Sequence, residues 1–315
     1  MYKYKIAIVG AGNIALKHLE VLVKIKNISL VGITSRTIKK AAKLSKKFNI
    51  ENTYKNIEEL IINSKPDAVI ILVSFDQIFK VTREIIFYKI PFFVEKPPGL
   101  SLSETKILAN LAMNKNINNM VGYNRRFYSV FDKGINIIKK HGRLLAVSIE
   151  GHERFWKIAE KLNKTLRQKW IYANSTHTID LLRFFAGEPN KVLSFNKSYK
   201  ESNGDLFNAI IEFSSGTVGN YYSSWYSPGS WSVQLFGEGV SVEFNPLEHA
   251  TWKDSNLKEH KINPDSHDLL FKPGFYNQMQ TFVNMLKTGK LNWPGQNLSD
   301  ILKTIKLTKI ISKQK

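Results

Sequence analysis

The apolar positions in the first part of the chain fall into short continuous runs separated by segments with helical spacing. Buried strands are predicted by the runs at residues 5–9, 29–33, 67–73, 92–94 and 119–122. Short apolar runs between turn signals are typical of strands that are covered on both faces. The segments between them place apolar residues three and four positions apart, which predicts amphipathic helices. Because strand and helix alternate, we expect a doubly wound parallel sheet, an α/β fold.

This alternation ends after Gly122. From residue 191 to 245, several strands follow one another with glycine-containing turns and no helices between them. Helical spacing outside that stretch predicts helices near residues 130–140, 176–186, 276–287 and 299–311. The order of elements predicts an α+β region whose open sheet is largely antiparallel.

A glycine turn of the form G-x-G-x-x-A follows the first predicted strand and precedes a helix. In such turns the first glycine, here Gly10, allows the tight bend, and the second, Gly12, lets backbone amides approach a pyrophosphate. The helix that begins with Asn13 and Ile14 presents its N-terminus to the phosphate charge. We therefore predict a dinucleotide-binding Rossmann domain at residues 1–122 and a second domain at 123–315 for substrate binding and oligomerisation.

The second predicted strand ends at Thr34, Ser35 and Arg36, where an NAD site usually carries an acid for the ribose hydroxyls. Arg36 could pair with a 2′-phosphate or stack on adenine. The alternative is that these residues form only the solvated first turn of the next helix. We expect NADP to be preferred and NAD to remain possible, with Ser35 and Arg36 as contacts.

Composition limits the class of protein. The 315 residues are 43% hydrophobic, which is typical of a globular chain. No apolar run approaches the roughly 20 residues of a membrane span, and no signal-type apolar region precedes the first strand. The absence of cysteine excludes disulfides, thiolate metal sites and a cysteine nucleophile. We expect a cytoplasmic enzyme with no membrane partner.

The formal net charge is +20. A nucleic-acid-binding protein would gather its basic residues on one face, whereas the lysines here are scattered among abundant Asn and Ile. That composition is typical of an AT-rich genome, so no nucleic-acid partner is predicted. A basic cleft would nevertheless suit an anionic cofactor and an anionic substrate.

Chemistry-bearing residues stand where the apolar run at residues 92–94 ends. Glu95 and Lys96 follow it directly, and Pro97 and Pro98 then stop the strand. Ligands of open α/β sheets bind at the carboxyl ends of the strands. We predict that Glu95 and Lys96 lie beside the cofactor and that Lys96 donates to a developing alkoxide.

A second candidate lies at the start of the helix predicted at residues 176–186. His177 titrates near neutrality and suits a general base that removes a hydroxyl proton; the alternative is a histidine hydrogen-bonded in the domain interface. Asp180 shares its helix face. No third ligand accompanies this pair, so no metal site is predicted.

Substrate contacts are expected after the last parallel strand and in the polar-aromatic segment that follows residue 150. Arg125 and Arg126 could hold a phosphate or carboxylate, the alternative being an interdomain ion pair. His152 and Arg154 could line a sugar pocket. Tyr221, Trp225 and Trp231 are expected to pack the second sheet or its oligomer face.

Four segments, in their order and spacing, resemble the glucose-fructose oxidoreductase, inositol dehydrogenase and MocA-like (Gfo/Idh/MocA) family over nearly the full length. They are residues 10–15 (GAGNIA), 95–98 (EKPP), 122–127 (GYNRRF) and 177–182 (HTIDLL). The resemblance implies NAD(P)-dependent hydride transfer at a secondary alcohol of a sugar, nucleotide-sugar or polyol. It also implies catalysis by Lys96 and His177, and a homodimer or homotetramer built through the outer face of the antiparallel sheet. Further family positions are the cofactor-side Val73 and Ser74 and the substrate-side Asn124, Asn174 and Asp180.

Two departures from the family pattern bear on activity. Ala173 stands where the family has an Asp four residues before the helix histidine, and Asn174 or Ser175 could replace that acid only by hydrogen bonding. The family's Thr-Pro-Asn segment is altered at residues 73–75. Two alternatives therefore stay open: an NAD-dependent glycosidase or epimerase that recycles its hydride, and a non-enzymatic NADP-binding regulatory protein.

Overall fold

The computed structural model describes residues 2–313, which form two compact units. The first unit contains the chain up to Asn124 and again from His267 to Leu302, and the second contains Arg125–Ser266 and the chain from Lys303 onward. The boundary expected after Gly122 lies close to the first crossing between the units. The segment from His267 to Leu302, which we had assigned to the second domain, belongs to the first unit by its contacts.

The first unit contains one six-stranded sheet. Its elements are β1 (Tyr4–Val9), α1 (Asn13–Leu22), β2 (Ile28–Thr34), α2 (Ile38–Phe48), β3 (Thr53–Tyr54), α3 (Ile57–Ser64), β4 (Ala68–Ile71), α4 (Phe75–Phe87), β5 (Phe92–Glu95), α5 (Leu102–Asn114) and β6 (Asn119–Gly122). The strand order is β3-β2-β1-β4-β5-β6, and every neighbouring pair is parallel. The predicted doubly wound sheet is confirmed. All residues of β4, β5 and β6 are buried, as the continuous apolar runs indicated.

The second unit contains a mixed sheet of eight strands. Its elements are α6 (Ser129–His141), β7 (Leu144–Gly151), α7 (Lys164–Gln168), α8 (Thr176–Ala186), β8 (Pro189–Lys197), β9 (Leu206–Phe213), β10 (Val218–Ser224), β11 (Trp231–Gly237), β12 (Val240–Phe244), β13 (Ala250–Lys253) and β14 (Glu259–Ile262). The strand order is β14-β13-β12-β11-β7-β10-β9-β8. The β7–β10 pair is parallel and the other pairs are antiparallel. The predicted largely antiparallel sheet is therefore confirmed.

Helices α6 and α8 pack against this sheet. The residues that point toward them are buried, among them Tyr221 and Phe244, and Trp225 just after β10 is buried as well. On the opposite face, apolar side chains are exposed: Leu193, Phe195, Ile210, Val218 and Phe236. Leu193 and Ile210 are cross-strand partners. Tyr221 and Trp225 therefore pack the second sheet, the first of the two roles expected for them, and the outer face of the sheet is apolar through other residues.

Three helices complete the chain: α9 (Ser266–Leu270), α10 (Phe275–Thr288) and α11 (Leu298–Ser312). Helix α10 packs against α1 in the first unit, and α11 runs from the first unit into the second. Within residues 2–313, no helix combines the length and the apolar character that crossing a membrane requires.

Candidate active site

The turn between β1 and α1 has the form that a dinucleotide site needs. Gly10 has a φ of +119°, and a Cβ there would lie 2.2 Å from the backbone oxygen of Leu72, so only glycine fits. At Gly12 a Cβ would meet nothing within 4 Å. Open space therefore lies over the start of α1, where backbone amides and the helix N-terminus favour a phosphate. The residues present fit a dinucleotide.

A cavity of about 510 Å³ extends from this turn along the carboxyl ends of the strands. It is lined by Val9, Gly10, Ala11, Gly12, Thr34, Ser35, Arg36, Thr37, Lys40, Lys55, Asn56, Ile57, Leu72, Val73, Ser74, Gln77, Val81 and Glu84. Six predicted cofactor contacts are among them, while Asn13 and Ile14 begin α1 beside the cavity without lining it. Lys55, which follows β3, also lines the cavity, although no motif in the sequence indicated it as a cofactor contact.

The end of β2 presents cations to this cavity and no acid. Arg36, Lys40 and Lys55 all line it, and the acid in the lining, Glu84, belongs to α4. The pKa of Asp76, at the start of α4, is lowered by hydrogen bonds from Ser74 and Gln77 and, to a smaller extent, by the charge of Arg36.

Glu95 and Lys96 lie where β5 ends. The Lys96 Nζ lies 5.5 Å from the centre of the Phe75 ring, and Phe75 directly follows the cavity residue Ser74. Glu95 is buried, with one carboxylate oxygen accepting from His18 Nε2 at 2.7 Å and the other from the backbone N–H of Lys96 at 3.0 Å. Burial alone would raise the pKa of Glu95, but the hydrogen bond from His18 and the positive charges of His18, Lys96 and Lys272 hold it below its usual range.

Two members of this cluster were missed by the sequence reading. His18 lies on the buried face of α1, beside Ala15, Leu19 and Leu22. The sequence feature that could have identified His18 is its position among the apolar residues on one face of the helix. Lys272 precedes α10 and reaches Glu95 only through the return of the chain to the first unit.

In the second unit, His177 is buried in the first turn of α8. A π-helical turn, Ile171–Ser175, precedes it; such turns insert one residue into the helical register and often occur at functional sites. Ala173, the position of the missing acid, is fully buried within this turn.

A different acid lies against this turn. Glu153 is 4% exposed, and its two carboxylate oxygens accept hydrogen bonds from Asn174 Nδ2 and Ser175 Oγ, each at 2.8 Å. Both donors are residues that the sequence suggested as replacements for the missing acid. The structure places them on a carboxylate that the sequence did not indicate, 21 and 22 positions before Asn174 and Ser175 in the chain.

A cavity of about 550 Å³ lies in the second unit. It is lined by Arg125, His152, Glu153, Arg154, Lys157, Ile158, Trp170, Asn174, Gly229, Ser230, Trp231, Pro246, Leu247 and Glu248. The Trp231 ring connects the candidate residues, because the Arg125 guanidinium lies 4.5 Å from its centre and the His177 ring 5.9 Å. His152 is fixed by the Ser224 backbone N–H, which donates to Nδ1 at 3.2 Å.

Three predicted substrate contacts lie elsewhere. Asn124 is buried and donates to the Pro273 carbonyl at 3.0 Å within the first unit. Arg126 and Asp180 form a buried salt bridge of 2.6 Å within the second unit, and Thr304 donates to Asp180 at 2.6 Å. None of the three predicted residues lines either large cavity. Their partners favour a structural role over a substrate contact, and the ion pair of Arg126 is internal to one unit.

No group of three or more His, Asp or Glu side chains suited to a metal ion occurs in the described part of the chain, residues 2–313. The parallel sheet, the glycine turn and the space over Gly12 define a dinucleotide-binding protein.

Comparison with known proteins gives the family. A model described as "Oxidoreductase family, NAD-binding Rossmann fold" matches residues 4–123, and one described as "GFO/IDH/MocA C-terminal domain" matches residues 139–243. The chain belongs to the Gfo/Idh/MocA family of oxidoreductases.

Individual relatives are distant. Myo-inositol 2-dehydrogenase of Thermotoga maritima is 22% identical over 303 residues, covering 91% of this chain and 89% of the relative. A candidate NADPH-dependent oxidoreductase of Desulfitobacterium hafniense superposes with a TM-score of 0.86 at 20% identity, covering 99% of this chain and 96% of that one. An Agrobacterium radiobacter oxidoreductase in complex with NAD⁺, L-tartaric acid and magnesium has a TM-score of 0.82 at 17% identity, with the same coverage of each chain.

The buried Arg126–Asp180 pair allows a test of its role. Asp180→Ala should lower the free energy of unfolding by about 3–5 kcal/mol, because it leaves the Arg126 charge buried without its partner. Arg126→Met combined with Asp180→Leu should be close to neutral. Urea unfolding measures both. A single variant with unchanged stability but weakened substrate binding would instead return this pair to the substrate site.

Proposed function

We propose that this protein transfers a hydride between a nicotinamide cofactor and a secondary alcohol of a sugar, nucleotide-sugar or polyol. The observation that carries the proposal is the position of Lys96 just after β5, where its backbone N–H donates to Glu95 and its Nζ lies 5.5 Å from the ring of Phe75, the residue after the cavity residue Ser74. Myo-inositol 2-dehydrogenase, a relative by sequence, acts on a cyclic polyol by its name. This relative supports the substrate class but does not identify the particular sugar.

The nicotinamide, when bound, accepts or returns the hydride of the carbinol carbon. During oxidation the hydroxyl proton must also leave, and His177 is the proposed base that takes it. Lys96 donates a hydrogen bond to the oxygen as its negative charge develops, which stabilises the transition state more than the ground state. In reduction the same groups act in reverse.

The sugar itself is proposed to bind in the cavity of the second unit. Trp170 and Trp231 offer aromatic faces, and Asn174 and Glu153 offer hydrogen-bonding groups. Arg125, Arg154 and Lys157 add positive charge to the lining. This composition supports a polyhydroxylated substrate, and its cations suit one that carries a phosphate or carboxylate.

The cofactor is proposed to be NADP in preference to NAD. An NAD site places an acid at the end of the second strand to accept from the ribose hydroxyls. The corresponding positions here supply Ser35 and Arg36, and Lys40 and Lys55 line the same cavity. A cluster of cations is complementary to a 2′-phosphate.

Cofactor preference can be measured with matched variants. Arg36→Ala should weaken NADP(H) binding by about 1–3 kcal/mol, the value of a lost charged hydrogen bond, and NAD(H) much less. Lys40→Ala should act in the same direction. Lys39→Ala is the control, because this substitution changes the net charge by the same amount and Lys39 does not line the cavity. Equal losses for both cofactors in a calorimetric titration contradict the preference.

The relative contributions of Lys96 and His177 to turnover give a second test. Lys96→Ala should lower turnover by more than the roughly 10²–10⁴-fold typical of one acid-base group, with cofactor affinity little changed. His177→Ala should cost less, at or below the low end of that range, because Ala173 leaves the histidine without the family's acid. Steady-state kinetics on a responsive sugar measures both. Near-native turnover of Lys96→Met means that Lys96 is only a cofactor or structural contact.

Ala173 favours a second candidate function, an NADP-binding regulatory protein whose catalytic set no longer turns over. A glycosidase or epimerase that recycles its hydride is the third. Incubation with sugars separates the three. A dehydrogenase changes the nicotinamide absorbance in proportion to product, a hydride-recycling enzyme forms product without net cofactor change, and a regulatory protein binds NADP without product.

We also propose that the protein assembles as a homodimer or homotetramer through the exposed apolar face of the second sheet. Its residues Leu193, Phe195 and Ile210 are each more than half exposed on neighbouring strands. A contiguous apolar surface of this kind is typical of an interface between copies.

Light scattering on the purified protein tests the assembly. The native chain should give at least twice the monomer mass at micromolar concentration, and Ile210→Glu should give a monomer because it places a charge within the apolar face. Leu257→Glu is the control, since Leu257 is also exposed but lies in the turn between β13 and β14. A monomeric native chain contradicts the proposal.

A further inference from the structure

The buried side chains of His18 and Glu95 form a histidine–carboxylate pair next to Lys96 in the structure. His18 has no exposed surface and packs against two aromatic rings, with centroid distances of 5.3 Å to Phe93 and 4.6 Å to Phe275. Its Nε2 donates to Glu95 at 2.7 Å. All of these residues belong to the first unit, so the arrangement depends on the packing of α1, β5 and α10 alone.

The carboxylate of Glu95 links this ring to the backbone of Lys96. One oxygen accepts from His18 and the other from the Lys96 backbone N–H at 3.0 Å. Since both oxygens are used, the carboxylate cannot rotate without breaking one bond. The orientation of the Lys96 peptide, from which the side chain departs, is thereby tied to the imidazole.

Stability is a weak explanation for this arrangement. A buried ionic pair usually contributes little net stability, and an apolar replacement of the same shape is often as stable. The charged groups that face Glu95 are His18 on α1, Lys96 at the end of β5 and Lys272 before α10. The hydrogen bond from His18 and these neighbouring charges hold the pKa of the buried Glu95 carboxyl below its usual range.

We propose that His18 and Glu95 form a positioning dyad that fixes the Lys96 peptide, from which the Lys96 side chain departs. The inference rests on the proposed function for its catalytic meaning. The geometric role can be tested without turnover. His18 and Glu95 act through Lys96 and touch no reacting atom in this scheme.

The positioning role of His18 is tested with His18→Gln and His18→Leu. The glutamine amide can donate from about the position of Nε2, whereas leucine of similar size has no donor. Hydrogen exchange of the Lys96 backbone amide, followed by NMR, should be at least tenfold faster in His18→Leu than in the native protein and near native in His18→Gln. Equal exchange rates in all three proteins overturn the proposal. If His18→Leu fails to fold, loss of protection in His18→Gln, with its donor retained, also counts against it.

Kinetics then connects the dyad to catalysis. With a responsive substrate, His18→Leu should lower kcat at least tenfold while KM for cofactor and substrate stays within about threefold, and His18→Leu combined with Glu95→Gln should be no worse than Glu95→Gln alone. Additive losses contradict a shared pathway through Glu95. Because hydrogen exchange needs no substrate, failure of the dyad and failure of the proposed function give different results.

Discussion

The parallel alignment of β1, β4 and β5 is the constraint on which the first unit depends. It brings the carboxyl ends of three neighbouring strands to one edge, so that the glycine turn, Ser74 and Lys96 gather although they are far apart in the sequence. Gly10 must approach the Leu72 backbone so closely that no Cβ fits. At Gly12, two residues further on, a Cβ would meet nothing within 4 Å, so the turn is closed against β4 on one side and open over the start of α1.

In the second unit, a helix and the π turn before it position the candidate residue His177. Its sheet supports α8, and the π turn before α8 sets where His177 projects. The position that carries an acid in the family holds a buried alanine here. Glu153, bound by Asn174 and Ser175, supplies negative charge to the same turn from the segment after β7. The turn is thus held by a carboxylate from outside it, and the hydrogen bonds bind the turn to the wall of the cavity.

The sequence predicted what local pattern determines. Continuous apolar runs identified the strands of the first sheet because both faces of that sheet are buried, and the glycine spacing identified the turn because its geometry admits few alternatives. It could not predict pairings between distant residues. His18 meets Glu95 across 77 positions, and Arg126 meets Asp180 across 54. Neither hydrophobic period nor residue type distinguishes an arginine that binds substrate from one that has a buried partner.

This difference explains why the two units are unequally defined by sequence. In the first unit, the site is built from strand ends, whose positions follow from the order of the sheet. In the second, the cavity is lined by side chains from several loops, short 3₁₀ turns and the π turn, and by Trp231, the first residue of β11. Family membership extends over both units, but substrate choice depends on the part of the structure that sequence pattern constrains least. If the proposed sugar binds in this cavity, Arg125, Glu153 and the residues around Trp231 are the side chains that would distinguish one sugar from another.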